Sequence, residues 1–152
     1  MKLSPIVPAH APLVFSALCD PSLYRFTDDA PPVSIEALAS RFARWQTDAP
    51  PGEVWLNWLI LDDGAPAGHL QATLYPSESR AVIAYLVFRD HQRRGLATAA
   101  ATWLLADLAV RGIALAEATI EIANTPSIRL VDRLGFTRIS LDGSEARYAK
   151  RL

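Results

Sequence analysis

The chain has 152 residues, of which 51% are apolar and 20% are charged, and its formal net charge at pH 7 is −1. These values predict one folded domain over residues 1–152 with its own hydrophobic core, and they exclude a disordered chain. The balanced charge argues against a nucleic-acid partner, because nucleic-acid-binding proteins usually carry a basic excess. No apolar stretch approaches the ~20 residues of a membrane-spanning helix, so we expect no membrane partner either.

The single cysteine, Cys19, cannot form an internal disulfide, which suits a reducing compartment. Residues 13–19 loosely resemble a lipoprotein signal. However, Leu18 is bulky where cleavage requires a small residue, and cleavage would remove the first predicted strand and helix. We therefore expect a cytoplasmic protein. The sequence leaves open whether it is a monomer or a homodimer.

The first half of the chain predicts a strand, two helices and a hairpin. Apolar residues recur at helical spacing after Ser34, which is a good N-cap residue. Asp62-Asp63-Gly64 separates two runs rich in strand-forming residues and predicts a tight turn. The predicted elements are a strand over residues 2–7, a helix over 12–18, a loop over 27–33, a helix over 34–46, and strands over 53–61 and 67–75.

The second half alternates strands with helices and ends in a hairpin. Residues 81–88 are apolar enough to predict a strand buried on both faces. Gly112 and Gly135 stand where helices commonly end. The predicted elements are a strand over residues 80–88, a helix over 95–111, a strand over 116–122, a helix over 126–134, and strands over 136–141 and 145–151. Tight turns together with helical connections imply an α/β fold with a mixed sheet.

The segment between the predicted strand 80–88 and the following helix has the composition of an anion site. Its two arginines lie at the positive end of the helix dipole, which is unfavourable unless an anion binds there. Free backbone N–H groups and small side chains at the helix start would cradle a phosphate. An ordinary junction with solvated arginines is the alternative. The segment consists of Gln92, Arg93, Arg94, Gly95, Leu96, Ala97 and Thr98.

A second motif starts at Asn124 and continues through Thr125, Ser127 and the Leu134-Gly135-Phe136 segment. Asn124 and Thr125 are both good N-cap residues, so capping of the next helix is one explanation. A side-chain amide at Asn124 can also pair with the amide groups of a ligand. The sequence alone leaves both roles open.

Together these motifs are similar to those of the GNAT acetyltransferases. Gln92-x-x-Gly95-x-Ala97 resembles the family's pyrophosphate-binding signature, and Asn124 to Phe136 resembles its second conserved segment. The details are most similar to the branch that includes the ribosomal-protein alanine N-acetyltransferases. The resemblance implies a mostly antiparallel sheet of six or seven strands, splayed between the fourth and fifth strands, with about four helices. It also implies acetyl-CoA as cosubstrate and no metal.

The resemblance further implies how the cofactor is held. Its pantetheine would lie in the splay, paired with backbone groups of Tyr85, Leu86 and Val87. The backbone N–H of Val87 would polarise the thioester carbonyl. The cofactor-binding residues would then be these three together with residues 92–98, Asn124 and Ser127.

The catalytic residues are less well defined by the sequence. Glu121 is the first choice for general base, because it would lie close to the splay, with Glu117, His69 or water as alternatives. The family often places a tyrosine acid seven residues after the motif asparagine, but Val131 stands there. Ser127 resembles a serine that serves as the acid in related ribosomal-protein acetyltransferases, so the resemblance makes it the first choice for general acid, and Tyr148 or water is the alternative.

The expected function is N-acetylation of a primary amine, on a peptide N-terminus or a small molecule, by direct attack on acetyl-CoA. The alternative is a non-catalytic acyl-CoA-binding sensor or interaction module of the same fold. Turnover of acetyl-CoA stimulated by an amine distinguishes the two.

Overall fold

Seven strands and four helices make up the computed structural model, which describes residues 1–152. The helices are α1 (Ala11–Leu18), α2 (Ile35–Thr47), α3 (Leu96–Val110) and α4 (Thr125–Arg133). The strands are β1 (Lys2–Pro5), β2 (Val54–Asp62), β3 (Ala65–Tyr75), β4 (Arg80–Val87), β5 (Leu115–Glu121), β6 (Thr137–Asp142) and β7 (Glu145–Arg151). The predicted elements are confirmed, with ends shifted by one or two residues. None of the helices combines the length and the hydropathy needed to cross a bilayer.

All seven strands belong to one sheet, in the order β1-β2-β3-β4-β5-β7-β6. Every neighbouring pair is antiparallel except β4 and β5, which are parallel and are connected by α3. The β2–β3 hairpin turns on Asp63 and Gly64, both at positive φ (48° and 82°). Two such residues match the twist of the flanking strands, which explains the strong turn signal of Asp-Gly. The mixed α/β sheet predicted from the sequence is confirmed.

Helices cover both faces of the sheet. On one face, Leu38 and Phe42 of α2 are buried in a smaller core shared with α1, and Ser34 Oγ caps α2 by accepting a hydrogen bond from Ala37 N at 3.0 Å. On the other face, α3 and α4 contribute to the larger core. Helix α3 buries Ala100 and Ala101 fully, and such small side chains allow its backbone to lie close to the sheet.

The sheet opens between β4 and β5. These strands pair only from Arg80 to Val82 against Leu115 to Glu117, and beyond these three pairs they diverge. The closed end is held by the buried Glu117 carboxylate, which lies 3.5 Å from Arg80 Nη1 and 3.2 Å from Arg147 Nη2. The splay predicted between the fourth and fifth strands is therefore confirmed.

The prediction that residues 81–88 are buried on both faces is wrong over part of the strand. Ala81 and Ile83 are buried, but Ala84 is exposed. The next three residues, Tyr85, Leu86 and Val87, are only half-buried. This part of β4 has no β5 neighbour, so its apolar side chains border open space. An apolar run indicates burial, but it does not reveal that the neighbouring strand leaves the sheet.

Gly68 of β3 allows the open part of β4 to approach closely. A Cβ atom at this position would lie within van der Waals overlap of the Leu86 carbonyl oxygen and 3.1 Å from Val87 Cα. We expect Gly68→Ala to lower the free energy of unfolding by about 2 kcal/mol or more, because a backbone atom must move. Chemical denaturation measures this loss. Gly143→Ala is the control, since nothing lies within 4 Å and only its positive φ of 58° is penalised; equal losses would contradict the prediction.

Candidate active site

A cavity of about 1340 Å³ lies at the opening of the sheet, between β4 and the N-terminal turns of α3 and α4. We call it the α3/α4 cavity. Most of the residues predicted to bind a cofactor line it, although they come from three separate stretches of the chain. They are Tyr85, Leu86, Val87, Gln92, Arg93, Gly95, Leu96, Ala97, Thr98, Asn124 and Ser127.

The start of α3 presents unpaired backbone N–H groups to this cavity. Arg93 and Gly95 both adopt left-handed conformations, with φ values of 61° and 76°. The first hydrogen bond of the helix is donated by Ala99 N to Gly95 O at 2.9 Å, so the N–H groups of residues 96–98 have no partner within the helix. Left-handed residues just before a helix turn consecutive N–H groups toward one point and create an anion-binding concavity. A positive φ at an arginine is strained, which is common at functional sites.

Arginine side chains add positive charge around the cavity. Five arginines line it against a single acidic residue, Asp132, although the whole chain has a net charge of −1. Arg129 and Arg133 lie one turn apart on α4, a spacing that the sequence analysis did not use. The other three are Arg25, Arg89 and Arg93.

Arg94 is the exception among the predicted cofactor-binding residues. Its side chain does not line the cavity, because Nη1 pairs with Asp62 Oδ2 at 3.1 Å in the β2–β3 turn. His91 Nδ1 lies 3.3 Å from the same oxygen, and this hydrogen bond is the main cause that lowers the pKa of Asp62, with Arg94 adding to it. These contacts fix the loop before α3 against the β2–β3 turn.

The open edge of β4 offers backbone groups that no strand uses. Phe88, which directly follows β4, donates a backbone hydrogen bond to Ala67 O of β3 at 2.8 Å, and this bond shows which residues of β4 face β3. Because antiparallel pairs alternate, Leu86 directs its backbone groups toward β3, whereas Tyr85 and Val87 direct theirs into the splay. Of the two Val87 backbone groups, the carbonyl accepts a hydrogen bond from Gln92 Nε2 at 3.0 Å. The Val87 N–H has no strand partner. Of the three β4 residues predicted to pair with a cofactor, Leu86 thus has its backbone committed to β3.

The first turn of α4 faces Tyr85 across the opening. Asn124 caps the helix, and its Oδ1 accepts a hydrogen bond from Ser127 N at 3.3 Å. Its side-chain NH₂ group remains available, so capping and ligand binding are compatible. The Tyr85 hydroxyl donates to the Ser127 backbone oxygen at 3.5 Å, and burial raises the pKa of this phenol. The sequence motif indicated a role only for the Tyr85 backbone, and no sequence pattern pointed to this hydroxyl.

A second cavity, of about 720 Å³, lies on the opposite side of β4, under α1 and α2. We call it the α1/α2 cavity. Fourteen of its 21 lining residues are hydrophobic, so it suits a partly apolar ligand. The two cavities share the four lining residues Leu23, Thr27, Tyr85 and Leu86, and therefore meet at the open part of β4.

His69 of β3 is held in the α1/α2 cavity by two neighbours. Its Nε2 lies 3.0 Å from Asn57 Oδ1, and its ring stacks on Trp45 with centroids 4.9 Å apart. Burial lowers the pKa of His69 to about 4, so the imidazole is neutral at pH 7. Since Asn57 Oδ1 can only accept, Nε2 carries the proton and Nδ1 keeps a free lone pair.

The other candidates for proton transfer lie elsewhere. Glu121, the first choice for base, lines neither cavity, and its Oε2 accepts a hydrogen bond from Ser144 Oγ at 2.7 Å. Glu117 is buried between Arg80 and Arg147, and the buried Tyr148 also lines neither cavity. No sequence pattern predicted the ion pairs that occupy Glu117.

A sheet splayed beside a helix start with free N–H groups, with cavities on both sides of the open strand, is the architecture of an acyltransferase. Residues 1–137 match the family model described as the acetyltransferase (GNAT) domain, and the chain belongs to this family. Enzymes of this family use acetyl-CoA, and the chain is an acyltransferase of this class. No curated protein sequence matches the chain significantly.

Solved structures share the fold over nearly the whole chain. An acetyltransferase from Thermus thermophilus is similar with a TM-score of 0.82 and 25% identity, covering 99% of this chain and 96% of the other. RimL, a ribosomal-protein alpha-N-acetyltransferase in complex with coenzyme A, has a TM-score of 0.87 and 20% identity, covering 99% and 93%. A ribosomal-protein-alanine N-acetyltransferase from Brucella melitensis has a TM-score of 0.76 and 14% identity, covering both chains fully. At such identities the last two establish the fold alone.

The neutral state of His69 makes stability depend on pH. The imidazole has a pKa of 6.5 when unfolded and about 4 when folded, so between these values the unfolded chain binds more protons. The contribution of the neutral His69 side chain to the free energy of unfolding is complete above pH 6.5 and is lost as the pH falls toward 4. At 1.36 kcal/mol per pH unit it reaches about 3 kcal/mol. We expect the stability difference between wild type and His69→Gln to shrink by up to about this amount from pH 7 to pH 4, as measured by urea denaturation. A constant difference would contradict the lowered pKa.

Proposed function

We propose that this protein transfers the acetyl group of acetyl-CoA to a primary amine, with the cofactor in the α3/α4 cavity and the amine in the α1/α2 cavity. The observation that carries the proposal is that the cavities meet at Tyr85 and Leu86, where the sheet is open. One cavity is basic and rich in free N–H groups, and the other contains a neutral imidazole. This pairing suits an anionic cofactor on one side of β4 and an amine on the other.

The residues of the α3/α4 cavity fit coenzyme A. The N–H groups at the start of α3, with Arg93, hold the pyrophosphate, because the helix dipole and the left-handed loop both favour an anion there. Arg129 and Arg133 lie where they balance further phosphate charge. The free backbone groups of Tyr85, with the Asn124 amide, pair with pantetheine, whereas the Val87 carbonyl stays bonded to the Gln92 side chain. When bound, acetyl-CoA supplies an acetyl group activated as a thioester.

The proposed mechanism brings the two reactants together at the open edge of β4. The Val87 N–H donates to the carbonyl oxygen on which negative charge develops. His69 Nδ1 accepts a hydrogen bond from the neutral amine and orients its lone pair. Because the pKa of His69 is about 4, its imidazole is too weak a base to hold the amine proton at pH 7. That proton leaves to water. Positioning of the two reactants provides much of the acceleration.

Ser127 is the proposed donor of a proton to the departing thiolate. It is half-buried on the first turn of α4 and lines the α3/α4 cavity beside Asn124. The position that holds a tyrosine in many relatives is occupied by the buried Val131, which has no proton to give. The Tyr85 hydroxyl, 3.5 Å from the Ser127 carbonyl, is the alternative donor.

The test of function combines turnover with cofactor binding. Wild-type protein is expected to release thiol from acetyl-CoA only when an amine from a panel of peptides, amino acids and polyamines is present. Gly95→Leu is expected to raise the acetyl-CoA dissociation constant at least about tenfold, near 1.4 kcal/mol, because its side chain enters the anion concavity. Gly112→Leu is the matched control, since Gly112 has a similar φ (82° against 76°) and equally open surroundings at the other end of α3.

Calorimetry gives the dissociation constants, and thermal melts verify folding of both variants. Equal affinity in folded Gly95→Leu would refute the proposed pyrophosphate site. Tight binding without turnover of any amine would instead indicate a non-catalytic acyl-CoA-binding module.

The proposed role of Ser127 is tested by removing its hydroxyl. We expect Ser127→Ala to lower kcat by about 10- to 10³-fold, with little change in acetyl-CoA affinity, because a general acid acts only in the transition state. Stopped-flow measurement of thiol release gives kcat for Ser127→Ala and for Tyr85→Phe. We expect the smaller loss of kcat in Tyr85→Phe. A larger loss in Tyr85→Phe would transfer the role to Tyr85. Loss of affinity with unchanged kcat would make Ser127 a cofactor-binding residue only.

A further inference from the structure

Arg41 of α2 is a half-buried cation inside the α1/α2 cavity that lacks a carboxylate partner. It takes part in none of the ion pairs of the chain. Asp29 and Asp48 also line this cavity, but both are exposed, and neither lies within 4.0 Å of the guanidinium. The guanidinium therefore keeps its hydrogen-bonding capacity for a ligand.

The position of Arg41 relates it directly to the proposed reaction site. Trp45 lies one helical turn further along α2, about 6 Å away on the same face, and stacks on His69. Arg41 and Tyr24 line the same cavity, and the guanidinium is close enough to Tyr24 for its charge to act on the phenol. The Tyr24 hydroxyl donates to Leu18 O at 2.6 Å, and as a neutral phenol it does not balance the charge of the guanidinium. A ligand that reaches both His69 and Arg41 spans roughly one helical turn.

The chemistry of the cavity favours a carboxylate at this place. A guanidinium binds a carboxylate through two parallel hydrogen bonds, and such charge-assisted bonds strengthen where water is partly excluded. Arg44 also lines the cavity, but it is exposed on the solvent side of α2. The rest of the wall is mainly apolar and aromatic, including Phe42, Trp45 and Trp55. The complementary ligand has an amine near His69, a carboxylate at Arg41, and an apolar group against this wall.

We propose that the acceptor is a primary amine that also carries a carboxylate, and that Arg41 binds this carboxylate and selects for it. The inference rests on the proposed function. The carboxylate can belong to a free amino acid, or to an acidic side chain close to the N-terminus of a peptide. Arg41 would bind the carboxylate in the same way in both cases. Only the peptide would have a further chain that extends out of the cavity.

The experiment compares acceptors with and without this charge. Because a carboxylate also raises the pKa of the neighbouring amine, kcat/KM is calculated for the concentration of neutral amine. One pair is leucine and leucinamide, and the other is a tetrapeptide with glutamate at its second position and its glutamine counterpart. We expect kcat/KM to be about 10- to 100-fold higher for the charged member of one pair, in line with hydrogen bonds to charged groups. The pair that responds identifies the source of the carboxylate.

Variants then assign the preference to Arg41. Arg41→Met keeps most of the apolar stem and is expected to abolish the preference, whereas Arg41→Lys retains part of it. Arg138→Met is the control, because Arg138 is exposed on β6 and lines neither cavity. Circular dichroism melts verify that each variant folds. Equal kcat/KM for charged and neutral acceptors, or an unchanged preference in Arg41→Met, would overturn the inference.

Product binding separates this inference from the proposed function. Calorimetry in the presence of coenzyme A compares N-acetyl-leucine with N-acetyl-leucinamide, and the acetylated peptides with each other, without any turnover. A carboxylate preference that depends on Arg41, in a protein that acetylates none of the amines, would refute the function and leave the recognition standing. Efficient acetylation of neutral amines alone would support the proposed function and refute carboxylate recognition by Arg41.

Discussion

The parallel contact between β4 and β5, which ends after three residue pairs, is the constraint on which the site depends. Each strand stays paired with its other neighbour along its length, β4 with β3 and β5 with β7, so divergence leaves an open wedge inside the sheet. The closed end is secured by the Glu117 ion pairs and by Ser79 O, which accepts hydrogen bonds from Ala114 N and Leu115 N. The open end leaves backbone N–H and C=O groups of β4 without a strand partner, and such groups require a ligand or water.

The two faces of the opened sheet are chemically unlike. On the α3 and α4 face, arginines and free backbone N–H groups create a positive region in a protein of nearly neutral net charge. On the α1 and α2 face, burial of His69 beside Trp45 lowers the pKa of the imidazole and keeps it uncharged at pH 7. A neutral imidazole does not repel an incoming amine, as an imidazolium would. The fold thus separates a positively charged region from a mainly apolar region with an uncharged imidazole by the width of one strand.

The loop between β4 and α3 holds an unfavourable conformation through contacts at both ends. A left-handed arginine costs roughly 1–2 kcal/mol, which surrounding interactions must offset. The Gln92 side chain fastens the loop to Val87, and the Arg94 side chain fastens it to Asp62. Two of the motif residues therefore contribute by shaping the backbone as well as by any contact with a ligand.

The sequence by itself determined the elements, the mixed sheet and the two motifs, because helical periodicity, the Asp63-Gly64 turn and the residues around Gly95 and Asn124 are local signals. Only the tertiary structure decided which side chains meet. It pairs Glu117 with arginines, directs Glu121 to Ser144, and brings Trp45 onto His69 although 24 positions separate them. It also opens β4 where apolar residues indicated full burial. Strand alternation specifies the face on which a residue lies, whereas its partners depend on how distant elements pack, which short-range patterns do not encode.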